Sequence, residues 1–343
     1  MSQPSVPRPL PVFDPGYKGA GGPPDTGEPF DVESAREFAN STWTVDGVLA
    51  KHPHLTHADI TIPAIEGLDN NSISLAVFQT KNSSNRNRPA VLYVHGGGQV
   101  VGNRFHCIEQ ILDSVFPIND DIVFTSVEYR LAPEHRAPAA AYDCYAAVAY
   151  LGEHAAKLGI DRSKILVYGV SGGSPLVAAA CLLARKYACP QICAQVLCIP
   201  MLDDRDHWLS HKQFETGTLW PGKVNREAWD MVLGADRGEP EVDEIRSPGR
   251  ATDLSNLPPV FIDVGECEIF RDSAIAFASQ IWKCGGSAEV HVWPGMYHGA
   301  AVFEQDVPVS KAALHAQKNF IERAFGLRRG SSGSVDDVAQ ASL

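Results

Sequence analysis

The chain has 343 residues, 44% of them hydrophobic and 20% charged, with 29 basic against 41 acidic side chains and a formal net charge of -12. That balance, a mean hydropathy of -0.12 and no basic cluster beyond Arg328–Arg329 argue against a nucleic-acid or anionic-membrane surface. No apolar run approaches the ~20 residues of a membrane span. The first residues, rich in Pro and Gly, lack the basic-then-apolar layout of a signal peptide, so a soluble, cytoplasmic protein is expected.

Residues 1–28 read as an extended leader, and Val32, Ala35, Phe38 and Ala39 at helical spacing predict a short helix over 31–40. β-Branched runs at 58–64 and 73–79 predict an antiparallel opening. From 89 onward, apolar runs at Ala90–Val94, Ile122–Val127, Ile165–Tyr168, Val196–Ile199, Val260–Val264 and Ala288–Trp293 alternate with helix-length segments. Those segments lie near 106–116, 137–157, 173–187, 226–234, 271–284 and 308–325. Strands buried on both faces look like this, and the alternation predicts an α/β fold with a mostly parallel sheet flanked by helices. Almost sixty residues separate Met201 from Pro259, more than one crossover needs, and carry Trp208, Phe214 and Trp220. A helical cap over the carboxyl ends of the strands is expected there, since ligands bind at that edge. The expected organisation is a leader with cap helices over 1–50, one domain over 51–326 with a cap insertion at about 203–250, and a disordered tail over 327–343.

Cys107, Cys144, Cys181, Cys189, Cys193, Cys198, Cys267 and Cys284 lie mostly in apolar stretches of a chain neither short nor Cys-dense, so buried thiols are expected rather than disulfides. Cys189, Cys193 and Cys198 lack the C-x2-C pair or flanking His of a metal site. Asp203-Asp204-Arg205-Asp206 reads as a solvated loop entering the cap rather than a Mg²⁺ site. No metal or cofactor is expected.

Three motifs carry chemistry. Gly169-Val170-Ser171-Gly172-Gly173 follows the strand ending at Tyr168 and precedes an Ala/Leu helix, the context of a nucleophile elbow. Pro175 falls in the first turn of that helix, where its missing N–H has no intrahelical partner anyway. His95-Gly96-Gly97-Gly98 ends another strand, and successive glycines can turn bare N–H groups into a pocket. A dinucleotide loop fits worse, because Val101 occupies the third glycine position of G-x-G-x-x-G. His298-Gly299 follows the last strand, so all three motifs fall at one sheet edge. An acid to orient His298 belongs after the penultimate strand. Asp263 is expected inside that strand and Asp272 in the next helix, which leaves Glu266 or Glu268.

With these residues, and with Tyr129-Arg-Leu-Ala-Pro-Glu-His135, the chain resembles the hormone-sensitive-lipase-like branch of the α/β-hydrolases (fold-3 esterases) from about residue 30 to 326. The resemblance places Glu268 at the catalytic acid and Asp272 at a supporting carboxylate. Glutamate for the usual aspartate suggests a fungal-type member. It further implies a Ser171–His298–Glu268 triad, an oxyanion hole from the amides of Gly97, Gly98 and Gly172, and structural roles for Tyr129, Arg130 and Glu134. Ala300, where the family carries an aromatic, is expected to enlarge the pocket. A serine carboxylesterase for small, short-chain esters is the implied function, with a homodimer possible by analogy. The same triad could instead serve acyl transfer, lactonisation or cyclisation in a biosynthetic pathway. A non-catalytic receptor, as the plant gibberellin receptors resemble, would have lost the catalytic His, whereas His298 is present.

Overall fold

The computed structural model describes residues 10–22, 26–63, 65, 71–116 and 121–327; residues 328–343, most of the expected tail, lie outside them, as do residues 1–9 of the leader. Eight strands form one sheet in the order β1-β2-β4-β3-β5-β6-β7-β8. They are β1 (Leu55–Ile62), β2 (Ile73–Thr80), β3 (Arg88–Val94), β4 (Val123–Glu128), β5 (Ile160–Val170), β6 (Ala194–Cys198), β7 (Val260–Cys267) and β8 (Ala288–Tyr297). β2 runs antiparallel to β1 and β4, in register from Ile62 opposite Ile73, and β4 through β8 pair in parallel. The expected antiparallel opening and parallel body are both present.

All seven residues of β3 are buried, which is why its Ala90–Val94 stretch reads as an unbroken apolar run. Its side chains alternate between two cores: Ala90, Leu92 and Val94 face one, Val91 and Tyr93 the other. The first core is closed by α4 (Ala139–Glu153), α6 (Gly173–Tyr187) and α9 (Arg271–Lys283), the second by α3 (Ile108–Ser114) and α11 (Pro308–Ala324). The 137–157 segment is two helices, α4 and α5 (Ala155–Leu158), broken at His154. A short α2 (Val45–Lys51) escapes a periodicity reading because it spans only two turns after α1 (Val32–Thr42); the Thr44 side chain caps it by accepting from the Gly47 amide. The long insertion holds α7 (Leu209–Gln213) and α8 (Gly222–Leu233), the latter starting four residues earlier than expected, while α10 (Ala300–Phe303) follows β8.

One expectation fails here. Asp203 and Asp204 are not solvated: their side chains are 1% and 0% exposed. Arg205 donates three hydrogen bonds to Asp203, one from its amide and two from its guanidinium, Trp208 Nε1 donates a fourth, and Arg250 grips Asp204 with two bonds of 2.7 Å. Burial alone would raise the Asp204 carboxyl, but donors from Arg250, the Gly238 amide and Ser247 outweigh it and hold the carboxyl below its usual range. Acidic residues beside arginines at the mouth of a long insertion are thus the anchor of that insertion to the sheet. The eight cysteines are all free, as expected, and no cluster able to hold a metal occurs among the described residues.

Removing one partner of a buried ion pair strands the other charge. Asp204→Ala is therefore expected to cost about 3 kcal/mol in urea unfolding. Asp236→Ala, whose carboxylate is 63% exposed beside Arg246, should cost under about 0.5 kcal/mol.

Candidate active site

β5 runs straight into α6, and Ser171 sits at the junction with φ +51°, a left-handed conformation that a non-glycine residue adopts only under constraint. The constraint is visible. The Ser171 amide donates to Cys198 O at 2.8 Å, while its carbonyl accepts from the amides of Ser174 and Met201. Ser171 Oγ lies 3.0 Å from His298 Nε2, and His298 Nδ1 lies 2.6 Å from Glu268 Oε2. The other Glu268 oxygen accepts the Gly265 amide at 2.7 Å, and the residue is fully buried. Three turns separated by up to 127 positions therefore meet in one hydrogen-bonded line.

The two acids left open by the sequence are separated by the structure. β7 extends to Cys267, so Glu266 belongs to the strand and accepts the Gly295 amide at 3.0 Å. Glu268, just past the strand end, reaches His298. Asp272 accepts the Ser210 amide and pairs with Arg271, so it steadies the insertion rather than the imidazole. Asp263 points into the core, where Gln317 Nε2 donates to it at 2.7 Å.

The glycine run turns back beneath Ser171. Gly97 and Gly98 have φ of +99° and +61°, and a Cβ on Gly172 would fall 2.6 Å from the Gly98 nitrogen. Glycine at 172 is therefore a packing requirement that brings two backbones together. Among the described residues none accepts a hydrogen bond from the amides of Gly97, Gly98 or Gly172. Beneath the loop, Tyr129 Oη donates to His95 O at 2.9 Å and its ring stacks on the His95 imidazole. Arg130 binds Asp143, and Glu134 binds Arg36 of α1, so Tyr129, Arg130 and Glu134 brace the loop and its surroundings.

Above these groups lies a cavity of about 670 Å³, walled by residues of 26–43, 96–107, 216–224 and 298–303. Of the insertion's Trp208, Phe214 and Trp220, only Trp220 lines it, standing over Gly98 and 6.4 Å from the His298 ring. Phe214 is buried against Phe13, and Trp208 is bonded to Asp203. Ala300 does not enlarge the cavity, contrary to expectation. It is fully buried beside Tyr17, Tyr297 and Ala313, and Phe303, one turn on, supplies an aromatic wall instead. Periodicity could not place α10, which has only four residues.

Comparisons with known proteins bear on the family and the fold. A family model described as "alpha/beta hydrolase fold" matches residues 91–302. Carboxylesterase NlhH of Mycobacterium tuberculosis is 35% identical over 253 residues, 70% of this chain and 75% of its own length. Esterase LipI of the same species is 29% identical over 286 residues, 77% of this chain and 81% of its own. Among solved structures, a bacterial heroin esterase superposes with a TM-score of 0.78 at 30% identity, covering 86% of this chain and 92% of that one. The chain belongs to the α/β-hydrolase family, in its hormone-sensitive-lipase-like branch. Within that family it is an enzyme of the carboxylic ester hydrolase class.

Three groups near the site, buried His95 and Asp263 and half-buried His106, titrate abnormally. Burial lowers His95 to about 4; burial, reinforced by His95, lowers His106 to about 3; burial raises Asp263 to about 6. As pH falls below 6.5, the unfolded histidines take up protons that the folded ones refuse, so stability is lost. Asp263 acts in the opposite sense, taking up its proton in the folded state near pH 6, well above the unfolded carboxyl. Asp263→Asn removes that offset. Its acid loss between pH 6 and 4.5, followed by urea unfolding, should be steeper than wild type by about 1.4 kcal/mol per pH unit.

Proposed function

We propose that the chain is a serine carboxylesterase that hydrolyses short-chain acyl esters through an acyl-enzyme, with Ser171 as nucleophile, His298 as general base and acid, and Glu268 as the orienting carboxylate. The observation that carries this reading is the unbroken line from Ser171 Oγ to His298 to Glu268, at 3.0 and 2.6 Å. Glu268 holds the proton on Nδ1, which leaves Nε2 as the acceptor facing Ser171. His298 takes the hydroxyl proton as Oγ attacks the ester carbonyl. The tetrahedral oxyanion then falls to the amides of Gly97, Gly98 and Gly172, which have no other partner among the described residues. His298 returns the proton to the leaving alcohol, and water repeats the sequence to free the acid.

The bulk of Trp220 beside Gly98 and His298 supports a short acyl arm, acetyl to hexanoyl, close to the nucleophile. Residues 26–43 and 216–224 serve, in this reading, as the cap that keeps bulk water off the acyl-enzyme. The glutamate at the acid position supports placing the chain among fungal-type members of the family.

Turnover of p-nitrophenyl acetate and butyrate, and labelling by a fluorophosphonate read by intact mass, should both vanish in Ser171→Ala. Glu268→Gln keeps the shape but loses the charge and is expected to lower kcat roughly 10³–10⁴-fold with little change in KM. Labelling of the wild type without turnover would overturn hydrolysis in favour of acyl transfer or cyclisation. Absence of both would overturn the triad.

A further inference from the structure

The cavity contains a polar group that the proposed chemistry leaves unused. His106 follows the glycine run and lines the cavity wall. Its ring stacks on Trp43, from the turn between α1 and α2, with centroids 3.8 Å apart and 12° between planes. It also lies within 19° of parallel to His95 at 5.8 Å, and His95 in turn stacks on Tyr129. The ring is held by its faces, whereas its edge is bare: among the described residues neither ring nitrogen has a hydrogen-bond partner. Nδ1 is buried against Gly102, where a Cβ would approach within 2.7 Å. Nε2 is the atom left to the cavity.

A neutral imidazole has one N–H, and buried unpaired donors are rarer than buried unpaired acceptors. The proton therefore belongs on Nε2, where a ligand can accept it. Around it the walls are apolar and aromatic, with Phe30, Phe38, Val101, Trp220 and Phe303 among them. A volume of about 670 Å³ lies in the range that encloses drug-sized ligands, and a simple acetate would leave most of it empty. We propose that His106 is a specificity residue: its Nε2–H donates to an oxygen (hydroxyl, ether or carbonyl) carried on an aromatic-sized part of the ester substrate, remote from the scissile bond and packed against Trp43. This rests on the esterase reading above and extends it to substrate class. A site that presents a buried donor discriminates against analogues lacking the matching acceptor, because they bury the donor unpaired.

The test compares wild type, His106→Phe and His106→Gln. Phenylalanine keeps a ring against Trp43 and removes the donor; glutamine restores a donor without the ring. Substrates are phenethyl butyrate with its three ring-hydroxylated isomers, and p-nitrophenyl 3-phenylpropanoate with its three. For at least one isomer, the hydroxylated-to-parent ratio of kcat/KM should fall roughly tenfold in His106→Phe, through KM, and recover in part in His106→Gln. Hydrolysis of p-nitrophenyl butyrate should change little. An unchanged ratio for every isomer in both series overturns the inference while leaving the esterase reading intact. If the wild type hydrolyses none of these esters, the esterase reading fails instead. Calorimetric binding of the same compounds then decides about His106: a His106-dependent preference for a hydroxylated compound supports the contact, and its absence overturns it.

Discussion

The approach of Gly172 to Gly98 is the contact on which the rest of this site depends. A methyl group at 172 would sit 2.6 Å from the Gly98 nitrogen and 2.8 Å from that of Gln99. The end of β5 and the loop after β3 can therefore be neighbours only if the elbow carries no side chain there. Because β3 and β5 are adjacent parallel strands, paired from Ala90–Ile165 to Val94–Gly169, their carboxyl ends emerge side by side. That adjacency delivers amides from two separate loops to one place, beside a serine whose left-handed backbone lifts it out of the strand. The strain at Ser171 is tolerable because its amide and carbonyl are both satisfied, by Cys198 on one side and by Ser174 and Met201 on the other.

The acid arm follows from sheet register. β7 and β8 pair regularly from Val260–Ala288 to Gly265–Trp293, and the register then shifts so that Cys267 opposes Tyr297. The irregularity uses Glu266 to tie down the Gly295 amide and carries the chain on so that Glu268 lies beneath His298. A glutamate has one more methylene than aspartate, and here the extra reach lets its second oxygen also bind the Gly265 amide. A carboxylate held at both oxygens in a dry position can orient an imidazole without wandering, which a solvent-exposed acid cannot do.

Much of this was legible in the sequence, and the reasons it was legible are local. The strands of the parallel body are buried on both faces and announce themselves as apolar runs. The elbow and the glycine loop announce themselves because backbone crowding admits no other residues. What was not legible depends on distance or on brevity. The local pattern alone leaves Glu266 and Glu268 open, because apolarity does not mark where β7 ends in Val-Gly-Glu-Cys, and only the family resemblance points to Glu268. Asp204 looks like a surface residue until Arg250, 46 positions on, folds back on it. α10 is too short to show a period, so the exchange of Ala300 for Phe303 as the wall residue could not be anticipated.

The histidines at 95 and 106 show how the architecture beneath the glycine loop shapes what lies above it. Burial lowers the pKa of the His95 imidazole beneath the loop to about 4 and so keeps the ring neutral. The same desolvation extends to His106, and through its stack on Trp43 to the turn between α1 and α2. The N-terminal helices are in this way fastened to the loop by ring faces as well as by Arg36 of α1, which donates to Val100 O and pairs with Glu134. A wall built by stacking stays apolar, excludes water and leaves the ring edge free, so the element that closes the cavity can also present a directional hydrogen bond to its contents.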